Sequence, residues 1–147
     1  MSKIEIVKAF AGALETRNFE QAASYLSDDF VLYGPFPQPI SKQEFVAVQS
    51  AFQNAFQDWS FNSHNEVEEG EKVKSVVQIT GTHTHDLVLP MPGMPPIPAT
   101  GKKVSLPEEH MEFTFKGDKI ASLASDNVAG GGAMGVLAQL GVPLPPM

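Results

Sequence analysis

The hydrophobic period of this chain changes once, at Asp58–Trp59, and that switch constrains the fold more than any motif does. Before it, apolar residues recur every three or four positions. Ile4, Val7, Phe10 or Ala11, and Leu14 form one set; Phe19, Ala22, Ala23 and Leu26 a second; Phe45, Val48, Phe52 and Phe56 a third. That spacing predicts amphipathic helices. Ser2 is placed to cap the first. Ser41, with Glu44 three residues on, is a capping box opening the third and longest, which ends near Asp58. Between the second and third, Asp28-Asp29 interrupts and Phe30-Val31-Leu32-Tyr33 reads as a short strand. The segment Gly34-Pro35-Phe36-Pro37-Gln38-Pro39 cannot extend a ladder, because proline lacks the donor.

From Trp59 onward the pattern suits strands: Trp59 to Val67, Val73 to Leu87, Val104 to Phe115 and Lys119 to Val128. Glu69-Gly70-Glu71 and Lys116-Gly117-Asp118-Lys119 are hairpin turns. Between the middle pair, residues 90–98 carry five of the chain's twelve prolines in an apolar loop. Such a stiff loop is a pocket rim or lid, or else an ordinary strand connection. Helices followed by antiparallel strands give the α+β class, as a single domain over residues 1–147. A curved sheet wrapped around the helices leaves a cavity along their shared axis.

Charge and composition exclude several partners. Seventeen acidic against ten basic residues give a formal charge of −7, which disfavours nucleic acid and anionic membrane. The chain has no cysteine, hence no disulfide framework and no thiolate zinc site. Lys3, Glu5 and Lys8 interrupt the first apolar stretch, unlike a secretion signal. No run reaches the roughly 18 apolar residues of a membrane helix. The expectation is a cytoplasmic protein.

Three motifs carry candidate chemistry. Gly130-Gly131-Gly132-Ala133-Met134-Gly135 satisfies GxGxxG, but no second strand and no acidic ribose ligand follow within the twelve remaining residues. It reads as a flexible turn into a C-terminal helix. His83-Thr84-His85 puts two imidazoles on one face of a strand, lining a polar pocket or facing solvent. A metal site there lacks a carboxylate at the short spacing it would need, so neither metal nor cofactor is expected. Pro107-Glu108-Glu109-His110-Met111-Glu112 is the strand segment densest in titratable groups, and Asp126 sits in the last strand, where acidic residues are depleted.

Register decides what Asp126 faces. With Gly117-Asp118 as a two-residue turn, Phe113 pairs with Ser122, Met111 with Ala124 and Glu109 with Asp126. Both carboxylates then share the apolar face of Met111, Phe113, Phe115 and Ile120, where one should hold its proton near neutrality. A one-residue bulge instead turns Ser125 onto that face and sends Asp126 to join His110 on the other.

Taken together, the chain resembles the SnoaL-like polyketide cyclase and ester cyclase branch of the nuclear transport factor 2-like superfamily. The resemblance rests on the N-terminal helix leading to Asp28-Asp29-Phe30-Val31, on Phe56-Gln57-Asp58-Trp59-Ser60-Phe61, and on Gly81-Thr82-His83-Thr84. It continues through Ala99-Thr100-Gly101-Lys102 and Gly117-Asp118-Lys119-Ile120 to Leu137-Ala138-Gln139-Leu140-Gly141. It implies a cystatin-like cone of curved antiparallel sheet closed by helices, usually dimeric, around an apolar pocket. It also implies acid–base ring closure by an Asp assisted by a His, parts that Asp126 and His110 would play. Related members isomerise ketosteroids, and some only bind.

Three functions compete. The first is cofactor-free cyclase or isomerase-type chemistry on a small apolar carbonyl compound. Asp126 would take the proton, His110 or protonated Glu109 would hydrogen-bond the enolate oxygen, and Trp59, His83, His85, Met111 and Phe113 would line the pocket. The second is a non-catalytic small-ligand-binding protein. The third is an interaction module using the sheet face and the proline loop. A homodimer through the outer sheet face is expected, covering Val76 and Ile79.

Overall fold

The computed structural model describes residues 2–33, 39–89, 95–126 and 130–141, with the backbone alone at 132–134. Helix α1 (Lys3–Glu15) starts at a complete capping box, in which the Ser2 hydroxyl accepts from the Glu5 N–H and the Glu5 carboxylate accepts from the Ser2 N–H. It buries Ile6, Val7, Phe10, Ala13 and Leu14. A short α2 (Phe19–Ser24) leads into β1 (Leu26–Tyr33). The expected break at Asp28-Asp29 does not form. The strand runs through both residues, and the irregularity appears as a shift in pairing between Leu26 and Val31 that leaves the two aspartates exposed. After β2 (Ile40–Ser41), the Ser41–Glu44 box opens α3 (Lys42–Ala55), as its sequence predicts.

The long strands expected after Trp59 are divided into β3 (His64–Glu69), β4 (Lys72–Val77), β5 (Thr80–Thr82), β6 (Lys103–Ser105), β7 (Glu109–Lys116) and β8 (Lys119–Ser125). Helix α4 (Gly132–Gln139) follows. Gly70 and Gly117, at φ +61° and +65°, make the two hairpin turns in a region costly for other residues. Six strands form one curved, open sheet in the order β2-β1-β8-β7-β4-β3, and β5 pairs β6 separately. All neighbours are antiparallel except β1 and β8, which run parallel. The architecture is the expected α+β one, with that single parallel pair as a correction to an all-antiparallel sheet.

Two apolar clusters fill the interior. One packs α1 and α2 against the inner sheet face, with Phe10 against Phe45 and Phe113. The other joins the C-terminal half of α3 to Leu87, Ile97, Val104, Leu106 and α4. Leu87 and Ile97 bridge across the base of the proline loop. Residues 90–94 of that loop lie outside the described residues. No described helix is long and apolar enough to cross a membrane.

Candidate active site

A cavity of about 120 Å³ lies between α1, α3 and the inner face of the sheet. Val7, Phe10, Ala11 and Leu14 close it from α1, and Phe45, Val48, Gln49 and Phe52 from α3. The sheet supplies Leu32, Val77, Glu109, Met111, Phe113, Leu123 and Ser125, and Trp59, Phe61, Ser63 and Ile79 complete the wall. Among these described residues, Glu109 is the one with an ionisable side chain.

The β7–β8 register decides this arrangement. Lys116 pairs with Lys119 across the turn and Phe115 with Ile120, but Thr114 then pairs with Ser122, leaving Ala121 as an extra residue. Beyond that bulge, Phe113 faces Leu123 and Met111 faces Ser125. Asp126 therefore does not join Glu109 on the apolar face. Leu123 carries the sequence signal for this outcome: it is the one large apolar residue between Ala121 and Ser125, and the unbulged register would turn it to solvent.

Glu109 is 3% exposed although it is a carboxylic acid. Ser125 Oγ donates to its Oε1 at 3.4 Å. On its other side stands Gly131, the N-cap of α4. A Cβ at Gly131 would lie 2.8 Å from the Glu109 carboxyl carbon and 3.0 Å from Oε1. Burial disfavours the charged form of a carboxyl at this position. The neighbouring glycines make this close approach feasible. Gly130 sits at φ +82°, and a side chain on Gly135 would overlap the Gly130 carbonyl. The glycine run thus does lead into a helix, as its sequence predicts, and its Gly131 lies close against the Glu109 carboxyl.

Asp126 and His110 meet on the opposite, outer face. Asp126 Oδ2 lies 2.9 Å from His110 Nδ1, Oδ1 accepts from the His110 N–H, and the Asp126 N–H donates to the His110 carbonyl. Both are exposed, in a shallow groove with Asn65, Lys74 and Glu112. Val76 lies in the same groove and Ile79 on the inner cavity. Val76 is thus on the outer face as expected, whereas Ile79 faces inward and does not join an outer patch.

The two histidines of the 83–85 segment part company. β5 ends at Thr82, and the N–H groups of Thr84 and His85 both donate to the Ala55 carbonyl at the end of α3. That turn ends the strand alternation. His83 is fully buried, stacked on Phe56 at 5.1 Å, while His85 is exposed. His83 Nδ1 lies 3.0 Å from the Thr100 hydroxyl and 3.2 Å from the Thr100 N–H, while its Nε2 is buried with no partner among the described residues. Burial holds this imidazole below its usual range. Neither histidine lines the cavity. Trp59, Met111 and Phe113 do.

Sequence reading missed Gln49. It stands four residues after Phe45 and three before Phe52, so it interrupts the apolar stripe of α3 on the cavity side. A polar residue at that position was the available signal. Among the described residues, no three His, Asp or Glu side chains cluster as metal ligands would.

Comparison with known proteins gives a consistent pattern. The family model for the SnoaL-like domain matches residues 7–123. No curated protein sequence matches the chain. Among solved structures, AclR of Streptomyces galilaeus, a candidate hydroxylase, superposes with a TM-score of 0.73 at 19% identity, over 96% of this chain and 97% of that one. A candidate SnoaL-like polyketide cyclase of Jannaschia gives 0.71 at 15% identity, covering 97% and 93%. IdmH of Streptomyces antibioticus, a candidate polyketide cyclase, gives 0.69 at 20% identity, covering 97% and 100%. At these identities the likeness is one of fold.

Proposed function

The chain belongs to the SnoaL-like domain family, and from that premise we propose that it is a cofactor-free acid–base enzyme of cyclase or isomerase type. Its substrate would be a small, largely apolar carbonyl compound. One observation carries the reading: a single buried carboxyl, Glu109, on the wall of a mostly apolar cavity. A carboxylate held in that setting is desolvated and fixed, two conditions that favour proton transfer to and from carbon.

The step is a proton abstraction. Glu109 takes a proton from the carbon next to the substrate carbonyl, the C–H electron pair moves into a new C=C bond, and the carbonyl oxygen becomes an enolate. The protonated Glu109 then returns the proton to the same or another carbon. Ser125 and the start of α4 keep the carboxyl in place. Met111 and Phe113, beside it on the sheet, and Trp59 would hold the apolar body of the substrate. Asp126 and His110 have no part in this proposal, since they pair on the outer face.

A second reading is favoured by the same cavity, in which Glu109 is the one ionisable side chain among the described lining residues: a binding protein in which the carboxyl only orients its guest. Incubating the protein with cyclohexanone in D2O separates the two. An enzyme accelerates deuterium incorporation beside the carbonyl, whereas a binding protein retains the ketone without exchange. We also propose a homodimer, supported by the half-exposed Tyr33 and Val67 on the sheet. Sedimentation as a monomer at tens of micromolar concentration would argue against it.

A further inference from the structure

Three residues of the cavity wall, Trp59, Phe61 and Ser63, come from the connection between α3 and β3, outside the helices and strands named above. The middle of that connection is held from two sides. On one side the Phe61 carbonyl accepts from the Gln78 N–H at 2.8 Å, and Ser60 exchanges backbone hydrogen bonds with Thr80. On the other, the Phe61 N–H donates to Glu15 Oε2 at 2.8 Å, in a partly buried setting. Glu15 is the last residue of α1, whose last turn carries no basic side chain. A carboxylate there sits at the negative end of the helix dipole, where its charge is disfavoured. Helix stability therefore gives no reason for this residue. The bond to Phe61 does, because a hydrogen bond to an ionised acceptor is among the strong ones. The Phe61 ring in turn meets the Trp59 indole edge-on, with centroids 6.1 Å apart, so the placement of Phe61 carries over to Trp59.

We propose that Glu15 is a positioning residue for the cavity: through the Phe61 N–H it holds Phe61 and Trp59 as a fixed wall, which sets how tightly the pocket grips an apolar guest. The inference rests on the pocket reading above and holds whether that guest reacts or is only bound. Glu15 is not itself among the lining residues, so it acts on the guest through the wall. Arg17 ties α1 to the same connection at the Gln57 carbonyl, 3.3 Å away, but on the surface and ahead of Trp59.

Trp59 is the chain's one tryptophan, so its fluorescence reports on this wall alone. The test compares its emission, and the dissociation constant of cyclohexanone from ligand-observed NMR, in wild-type protein, Glu15→Ala, Glu15→Asp and Glu15→Gln. Glutamine keeps the reach and an acceptor oxygen without the charge, whereas aspartate keeps the charge and falls one methylene short. Glu15→Ala and Glu15→Asp should shift the emission to longer wavelength and weaken cyclohexanone binding about tenfold, near the lower end of what a hydrogen bond to a charged group is worth. Glu15→Gln should stay close to wild type in both readouts. A merely structural role would lower the thermal midpoint and leave the emission and affinity of the folded protein unchanged. If Glu15→Ala does not fold, the aspartate and glutamine variants still decide. Wild-type emission and affinity in Glu15→Asp, or a glutamine variant as impaired as the aspartate one, overturns this proposal while leaving a small-molecule pocket in place. If wild-type protein binds no cyclohexanone, the pocket reading itself falls, and this inference with it.

Discussion

A methyl group on Gly131 would sit 2.8 Å from the carboxyl carbon of Glu109, closer than Cβ atoms approach other heavy atoms. The two residues are 22 positions apart, on β7 and at the cap of α4, and the contact fixes where the buried acid can lie.

Gly131→Ala should therefore push the Glu109 carboxyl aside. Because the atoms it meets are the end of a flexible side chain, the loss of stability should be at the low end of the overpacking range, about 1 kcal/mol. Gly12→Ala is the matching control. Nothing lies within 4 Å of a Cβ at Gly12, and it sits inside α1, so alanine should stabilise by about 0.5–1 kcal/mol. Urea unfolding reads both signs. The clash should shrink in a Gly131→Ala, Glu109→Ala double variant, because truncating Glu109 removes the atoms it meets.

Asp126→Asn should change stability by less than about 1 kcal/mol, since its pair with His110 is exposed and screened. The asparagine oxygen can still accept from the His110 N–H. Exchange of a ketone bound in the cavity should be unaffected. Loss of exchange in this variant would bring the outer groove into the chemistry.

His83 sets an expected pH dependence. Its folded pKa lies below the ordinary 6.5, so the unfolded chain takes up the proton first as pH falls. The stability due to neutral His83 is complete above about pH 6.5 and declines as pH drops below it. His64 slopes the other way: the Asn62 carbonyl and then Glu108 raise its pKa, so its contribution is lost as pH rises. His83→Asn keeps an acceptor near the Nδ1 position and removes the titration. Thermal midpoints measured from pH 7.5 to 5 should fall less steeply in that variant than in the wild type.

What was legible in the sequence was local. The cap at Ser2, the box of Ser41 with Glu44, and the turns at Gly70 and Gly117 each carry their own hydrogen-bonding or backbone requirement, and each formed where its residues lie. Less legible were the features set by distant partners. The bulge at Ala121 leaves no chemical mark on an alanine, and only the position of Leu123 hinted at it. His83 and His85 separate because the Ala55 carbonyl captures the backbone between them, some thirty residues away along the chain. The glycine run carries no local mark of its closeness to Glu109, a residue 22 positions before Gly131.

The central claim is that Glu109 moves a proton within the cavity. NMR observation of cyclohexanone in D2O, with wild-type protein and with Glu109→Gln, tests it most directly. The glutamine keeps the shape of the side chain, and matching thermal transitions would show that the fold is retained. Wild-type protein should speed deuteration beside the carbonyl above the buffer rate, and Glu109→Gln should slow that catalysed exchange by about 10² or more, the usual worth of a general acid–base group. Exchange at the buffer rate with wild-type protein, or full exchange surviving in Glu109→Gln, would contradict the account.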